Sequence, residues 1–234
     1  MSTSLFSNRL LLVSLFQGFS RLDFLDIVEK VPLDFQTYKQ RETIVRQDED
    51  GKSLCILLGG EVEVEVESPE HTYRLVERIR APWVIQLESL FGLHNRYTRS
   101  VRACEEAQVV RISKQSVRQL LMRYPAFQIN YYNALSTYAQ RLSSLQWQQR
   151  YERLDERFLF FMQRRVLRPT GSKRLYVLME VLAHELGATR LRVSQMLSEL
   201  AKRQVLTYSR GVIIIPSFEA LVMAVQVKKQ SAID

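Results

Sequence analysis

The side chains best suited to chemistry begin after Gly187, where a short turn leads into a predicted helix. Thr189 suits the N-cap of this helix, because its hydroxyl can accept a hydrogen bond from a free backbone N–H. Apolar residues at Val193, Met196 and Leu200 follow helical spacing and predict its buried face. The remaining faces offer guanidinium, amide and hydroxyl groups, which bind phosphates and base edges. These candidate DNA-binding residues are Thr189, Arg190, Leu191, Arg192, Ser194, Gln195, Ser198 and Lys202.

The elements on either side of this segment complete a recognisable arrangement. Val177, Leu178, Val181, Leu182 and Leu186 predict an amphipathic helix before the glycine turn. Two helices joined by a short turn, the second with basic and amide side chains at its start, form a helix-turn-helix. The residues from 205 to 215 then predict a hairpin, or wing, with Arg210 in its turn as a further DNA contact. The alternative is an ordinary pair of packed helices.

The charge distribution favours the DNA-binding interpretation. The chain of 234 residues has a formal net charge of +8. From residue 150 onward there are 15 Lys and Arg against 8 Asp and Glu, so nearly all of the excess lies in the last third. A local basic excess is typical of a segment that binds a polyanion, although a basic surface can also serve solubility.

The first half of the chain has the pattern of a β-domain. From about residue 35 to 112 short apolar runs alternate with turn signals, as in a barrel, roll or sandwich. The clearest run is Glu61–Glu67, in which valine and glutamate alternate strictly. Glutamates on one strand face lie nearly 7 Å apart, so they predict a solvated face rather than a cation site.

A long helix is predicted after Pro125. Apolar residues recur there in steps of four and three, which is the seam of a two-chain coiled coil. The alternative is an amphipathic helix that packs on its own β-domain. The predicted dimer seam consists of Tyr131, Leu135, Tyr138, Leu142 and Leu145.

Other classes of protein lack support in the sequence. There is no GxSxG, P-loop or GxGxxG motif, and the three histidines show no ligand spacing, so we expect no enzyme and no metal site. Cys55 and Cys104 are too few for a disulfide framework. The longest apolar runs have about five residues, whereas a membrane helix needs about 20. We therefore expect a soluble protein of the cytoplasm that has no membrane partner.

The segment from Gly187 to Leu197 resembles the recognition motif of the Crp/Fnr transcription regulators. The resemblance extends over nearly the whole chain, since residues 42–47 and 54–62 are similar to the early strands of that family's β-roll. Arg41 and Asp48 stand where the family often has glycine. The implied fold class is α+β, with a jelly-roll-like β-roll sensor domain (1–122), a long dimerisation helix (123–150) and a C-terminal winged helix-turn-helix domain (151–234).

The resemblance also implies roles for the residues of the second helix. Thr189 and Arg190 match family positions for a phosphate contact and a base contact. Leu191 and Gln195 replace the glutamate and arginine of the cyclic-AMP subset, so the operator should differ. The implied partners are double-stranded DNA with a near-palindromic site, a second copy of the chain, and RNA polymerase.

The effector pocket departs further from the family pattern. Nucleotide-binding members have Gly-Glu-Leu followed by Arg-Ser/Thr-Ala, and here residues 85–87 and 97–99 read Ile-Gln-Leu and Tyr-Thr-Arg. We therefore expect an unknown small-molecule effector other than cyclic AMP. Two cysteines cannot supply the four ligands of an iron–sulfur cluster, whereas a haem, which needs one axial ligand, stays open. The candidate pocket residues are Gln86, Leu87, Glu88, Tyr97, Thr98, Arg99 and Tyr138.

The sequence thus predicts a DNA-binding transcription regulator. Two alternatives remain at this point. One is a member of the same superfamily that senses haem or another small molecule. The other is a cyclic-nucleotide-binding module that acts through protein contacts, which would require an intact phosphate cassette and no recognition helix.

Overall fold

The computed structural model describes residues 9–146 and 151–230, and these form two compact units. The first unit comprises the described part of residues 1–64 together with 79–141. The second comprises 65–78 together with the described part of 142–234. The chain contains both helices and mainly antiparallel strands, which confirms the α+β class.

The strands of the first unit form a β-roll. One sheet has the order β1-β8-β3-β6, and β4, β7 and β2 are neighbours in the second. The strand β3 is buried along almost its whole length, and Leu54, Ile56 and Leu58 on one of its faces belong to the apolar core of this unit. The strands of this half of the chain are β1 (Leu33–Tyr38), β2 (Thr43–Val45), β3 (Ser53–Gly59), β4 (Glu61–Glu67), β5 (Tyr73–Arg80), β6 (Trp83–Ile85), β7 (Ser100–Ala103) and β8 (Ala107–Ser113). Residues 65–78, which include the end of β4 and most of β5, belong to the second unit.

Strand β4 follows the alternation of its sequence. Val62 and Val64 are buried, and the glutamates between them are only partly covered. Residues 41 and 48 both adopt a left-handed backbone, with φ values of 70° at Arg41 and 66° at Asp48. This is the conformation that glycine adopts most readily, which accounts for the family's preference at these turns.

Among the described residues, the longer helices that lie wholly or largely in the first unit are α1 (Arg21–Lys30), α2 (Lys114–Arg123) and α3 (Pro125–Gln146). Helix α1 begins with a capping box between Ser20 and Asp23, as the sequence predicts. Helix α2 follows β8, and helix α3 begins at the predicted proline. The core beneath them joins apolar side chains of α1 and α3 to those of β3 and β8.

The second unit contains the predicted winged helix-turn-helix. Its helices and strands surround one apolar core, and its sheet has the order β10-β11-β9-β5. The elements are α4 (Leu154–Gln163), β9 (Lys173–Val177), α5 (Met179–Glu185), α6 (Arg190–Lys202), β10 (Thr207–Ser209), β11 (Val212–Ile215) and α7 (Phe218–Gln230).

The structure corrects the start of the first helix in this motif. Val177 belongs to β9 and not to the predicted helix, which begins at Met179. Residues Lys173, Leu175 and Val177 are buried and alternate with partly exposed neighbours, because successive side chains of a strand point to opposite faces of the sheet. Strand β9 pairs with β5 on one side and with β11 on the other.

The predicted domains (1–122, 123–150 and 151–234) stay predictions, and the two compact units divide the chain at other residues. The strand segments 65–78 belong to the second unit and not to a domain 1–122, and the helix up to residue 141 belongs to the first unit. The end of the dimerisation helix was predicted at residue 150, and residues 147–150 lie outside the described part of the chain.

Candidate nucleic-acid interface and effector pocket

The turn between α5 and α6 has the tight geometry that the sequence predicts. Gly187 has φ +57°, a left-handed conformation that a side chain would strain. The Ala188 N–H donates to the Ala183 carbonyl at 3.0 Å, and Arg157 on α4 donates to the carbonyls of Leu186 (2.9 Å) and Gly187 (3.2 Å). Arg157 is a residue that sequence reasoning missed, since no local pattern connects it to a turn about thirty positions away.

Helix α6 begins at the predicted cap. The Thr189 hydroxyl accepts a hydrogen bond from the Arg192 N–H at 3.4 Å. Val193, Met196 and Leu200 are buried in the core, together with Leu197. The amphipathic pattern therefore fixes which side of the helix faces outward.

The outward side of α6 carries the predicted DNA-binding residues. Leu191 is 67% exposed, so its apolar side chain lies on this outward side. Ser194 and Ser198 are half-buried at the edge of this face. The exposed members are Thr189, Arg190, Leu191, Arg192, Gln195 and Lys202.

Arg190 has a partner that sequence reasoning also missed. Its Nη1 donates to Oε1 of Glu180 on α5 at 2.7 Å, and the two side chains are 65% and 70% exposed. The carboxylate holds the guanidinium at the start of α6, where a base contact is expected. A carboxylate ten residues earlier gives no sequence signal, because only the turn brings the two together.

The wing forms as predicted. Ser209 pairs with Val212, so Arg210 and Gly211 form a two-residue turn. Both have positive φ, 26° and 83°, as hairpin turns of this length require. Arg210 is exposed at the tip.

In the first unit, Gln86 connects the two segments that were predicted to form the effector pocket. Its side chain is buried and its backbone is left-handed, with φ 44°. Its amide oxygen accepts hydrogen bonds from the N–H of Thr98 (2.8 Å), the N–H of Arg99 (3.0 Å) and the Thr98 hydroxyl (3.0 Å). Its amide nitrogen donates to the Arg99 carbonyl at 2.8 Å. A side chain of the protein thus uses the donors that an anionic ligand would need.

Burial and neighbouring charges shift the pKa values of two predicted pocket residues, Glu88 and Tyr138. Burial raises the pKa of Glu88, and the Arg99 guanidinium partly offsets that rise. Burial also raises the pKa of Tyr138, and the Glu88 carboxylate adds to the effect while Arg99 opposes it. Glu88, Arg99 and Tyr138 therefore interact electrostatically, and Leu87 is buried in the adjoining core.

Tyr97 does not join this group. Its hydroxyl donates to the Ser53 carbonyl at 3.2 Å and lies 3.7 Å from the Cys55 sulfur. Arg111 donates to the same sulfur at 3.1 Å. Burial raises the pKa of Tyr97. The side chain belongs to a polar network within the roll, and its assignment to the effector pocket stays a prediction.

The residues of the predicted dimer seam differ in their exposure to solvent. Tyr131 is 2% exposed and packs against Phe91 and Phe127 of its own unit, so a partner chain has no access to it and that part of the prediction is wrong. Leu135 packs on the same core. Leu142 is 46% exposed, and the Leu145 side chain lies outside the described residues.

The described residues of 9–146 and 151–230 contain no group of three metal-binding side chains. Within those ranges, no helix has both the length and the apolar character needed to cross a bilayer.

Comparisons with known proteins agree with this geometry. The family model described as cyclic nucleotide-binding domain matches residues 35–124, and the Crp-like helix-turn-helix domain matches residues 152–223. The chain belongs to the Crp/Fnr family. It is therefore a transcription regulator of the Crp/Fnr type, which confirms the resemblance seen in the sequence.

Solved structures show the same fold. The catabolite activator protein of Thermus thermophilus aligns with a TM-score of 0.51 and 19% identity over 89% of this chain and 96% of that one. The sensor domain of the transcriptional regulator DNR from Pseudomonas aeruginosa aligns with a TM-score of 0.51 and 16% identity over 65% of this chain and 99% of that one. A search of curated proteins found no match.

Proposed function

We propose that this Crp/Fnr regulator binds a near-palindromic DNA site as a homodimer and responds to an effector other than cyclic AMP. The observation that carries the DNA-binding proposal is the outward side of α6, where Arg190, Leu191 and Gln195 are exposed at the start of a capped helix. We expect no catalytic activity, and we expect the protein to act in the cytoplasm, where bacterial-type regulators meet DNA and RNA polymerase.

Selection of bound sequences from random duplex DNA tests this proposal. We expect two half-sites about one helical turn apart, because a dimer axis imposes its symmetry on the site. Recovery of no enriched sequence, with binding that depends only on salt, would contradict sequence-specific recognition.

Two variants separate base reading from phosphate binding. The Gln195 amide can pair with both edge groups of adenine, so Gln195→Ala should cost about 1–3 kcal/mol at the selected site and relax one base preference per half-site. Arg210→Ala should weaken binding to all sequences alike and reduce the salt slope by about one. Equal loss on every DNA with Gln195→Ala would mean that α6 does not read bases.

The proposal on the effector rests on Gln86. A buried phosphate needs a cation and several donors, and the Thr98 and Arg99 N–H groups already donate to the Gln86 amide. Calorimetry of the purified protein should show no micromolar binding of cyclic AMP. Micromolar affinity would refute the proposal, and Arg99 would then be the candidate for the substitute cation.

The absence of an iron–sulfur cluster is part of the same proposal, because the chain has only two cysteines. An absorbance spectrum of the protein tests it. A haem band would instead favour the haem-sensing alternative, and a cluster band would refute the expectation.

A further inference from the structure

Residues 65–78, the hairpin formed by the end of β4 and most of β5, belong to the same compact unit as the helix-turn-helix. Residues Tyr73–Glu77 of β5 pair antiparallel with Lys173–Val177 of β9. Leu75 has no exposed surface and belongs to the same core as Val193 and Leu197 of α6. The strand is therefore part of the scaffold that holds the candidate reading helix.

A buried ion pair fastens the end of this strand. Lys173 Nζ lies 3.1 Å from the Glu77 carboxylate, and the two side chains are 1% and 0% exposed. The carboxylate also accepts from the N–H groups of Leu167 (2.6 Å) and Arg168 (3.3 Å), and Lys173 donates to the Thr170 carbonyl at 2.6 Å. Removing one partner would leave a buried charge without compensation, which is strongly unfavourable.

Arg165 fastens the other end of the strand. Its Nε donates to the Tyr73 hydroxyl at 2.7 Å, and its guanidinium lies 4.9 Å from the Tyr73 ring centroid and 3.7 Å from that of Phe161. Its Nη2 donates to Glu185 at 2.8 Å. Glu185 ends α5, so one arginine connects the hairpin to the first helix of the motif.

We propose that the strand Tyr73–Glu77 regulates DNA binding, and that the Glu77–Lys173 pair holds it in the state that binds. Both ends of the hairpin continue along the chain into the first unit, at residues 64–65 and 78–79. Movement of residues 61–64 or 79–80, which lie in the first unit, is therefore transmitted to the hairpin through the backbone. The inference rests on the proposed DNA binding and adds how that binding is controlled.

Hydrogen exchange and DNA affinity of the full-length chain test this proposal. In Glu77→Gln, the backbone amides of the β5–β9 ladder and those of Leu167 and Arg168 should exchange at least tenfold faster. Affinity for the selected duplex should fall at least fivefold. The matched control is Glu65→Gln, which breaks a partly exposed pair with Arg74 in the same hairpin (3.3 Å) and should change neither quantity. Identical behaviour of the two variants, or faster exchange with unchanged affinity, would overturn the proposal.

A cross-link covers the case in which Glu77→Gln does not fold. Arg74 and Tyr176 are register partners, and the guanidinium carbon lies 4.4 Å from the tyrosine ring centroid. Opposed residues of antiparallel strands are close enough for a disulfide, so Arg74→Cys with Tyr176→Cys should cross-link under mild oxidation. The oxidised protein should bind DNA at least as tightly as the reduced one.

The control for the cross-link is Arg74→Cys alone, which should form no intramolecular bond. Failure to cross-link, or loss of DNA affinity on oxidation, would overturn the proposal. Hydrogen exchange and cross-linking need no DNA, so they test whether β5 is paired with β9 independently of DNA binding. They remain informative if the selection from random DNA recovers no site and the proposed function fails.

Discussion

We predict that Arg190 leaves Glu180 when it contacts a base, and this competition gives a quantitative prediction. The pair has an N–O distance of 2.7 Å, but both side chains are about two-thirds exposed. Exposed pairs contribute about 0.2–1 kcal/mol. Because a factor of ten corresponds to about 1.4 kcal/mol, Glu180→Gln should raise the affinity of each half-site about 1.4- to 5-fold. A dimer on two half-sites should gain about 2- to 25-fold.

Fluorescence anisotropy with the selected duplex measures this gain. The control is the same substitution in an Arg190→Ala background, where no guanidinium remains to be released. The double-mutant cycle isolates the interaction between the two side chains. We expect the gain to disappear in that background. An equal gain in both backgrounds would show that Glu180 acts only as a negative charge near DNA, and would refute the competition.

Three further predictions concern assembly and pH. Leu142→Asp should convert the dimer to monomers in sedimentation velocity, because two charges would enter a dry interface, whereas Leu142→Ala should weaken it less; a dimer in both variants would place the interface elsewhere. Burial raises the pKa of Glu88 above its usual 4.5, so the native state binds the proton more tightly and loses stability as pH rises through that raised pKa. Glu88→Gln should therefore raise the midpoint of thermal unfolding at neutral pH but not below pH 4.5, and a gain independent of pH would contradict this cause. Burial and the Asp26 carboxylate raise the pKa of Tyr124 from 10 to about 12, so stability should fall across that interval in the wild type and fall less in Tyr124→Phe, as denaturant titrations would show.

Local patterns predicted the elements whose burial is decided by near neighbours. The alternation in Glu61–Glu67 and the stripe from Val193 to Leu200 each identify a buried face. The helix beginning at Pro125 and the wing around Arg210 follow from turn residues. These features depend on a few consecutive residues, so the sequence contains the information needed to predict them.

Strand β9 was missed because its pairing is not local. Residues 173–177 are followed by apolar residues at helical spacing, so Val177 fits the pattern of the next helix. Its strand partner Tyr73 lies about a hundred residues away. Similarly, Tyr131 fits an apolar helix face, but periodicity does not show that Phe91 covers it instead of a second chain.

In the effector pocket, too, the sequence did not predict contacts between side chains that are distant along the chain. The sequence identified the departure from the nucleotide-binding pattern at Gln86 and Tyr97. It did not show that Gln86 bonds across the pocket to Thr98 and Arg99, or that Tyr97 turns toward Ser53. Those contacts depend on the backbone path between β6 and β7.

The attachment of residues 73–77 to β9 has a consequence for how such regulators can be recombined. Sequence comparison divides the chain between residues 124 and 152, which suggests that sensors and DNA-binding domains are interchangeable at that point. In a chimera joined at that point, this chain's sensor would bring Glu77 to a foreign DNA-binding domain. That domain would lack the Lys173 that pairs with Glu77 here. A domain swap should succeed when the hairpin 65–78 is transferred together with the C-terminal part. The segment that must be transferred is therefore discontinuous in sequence.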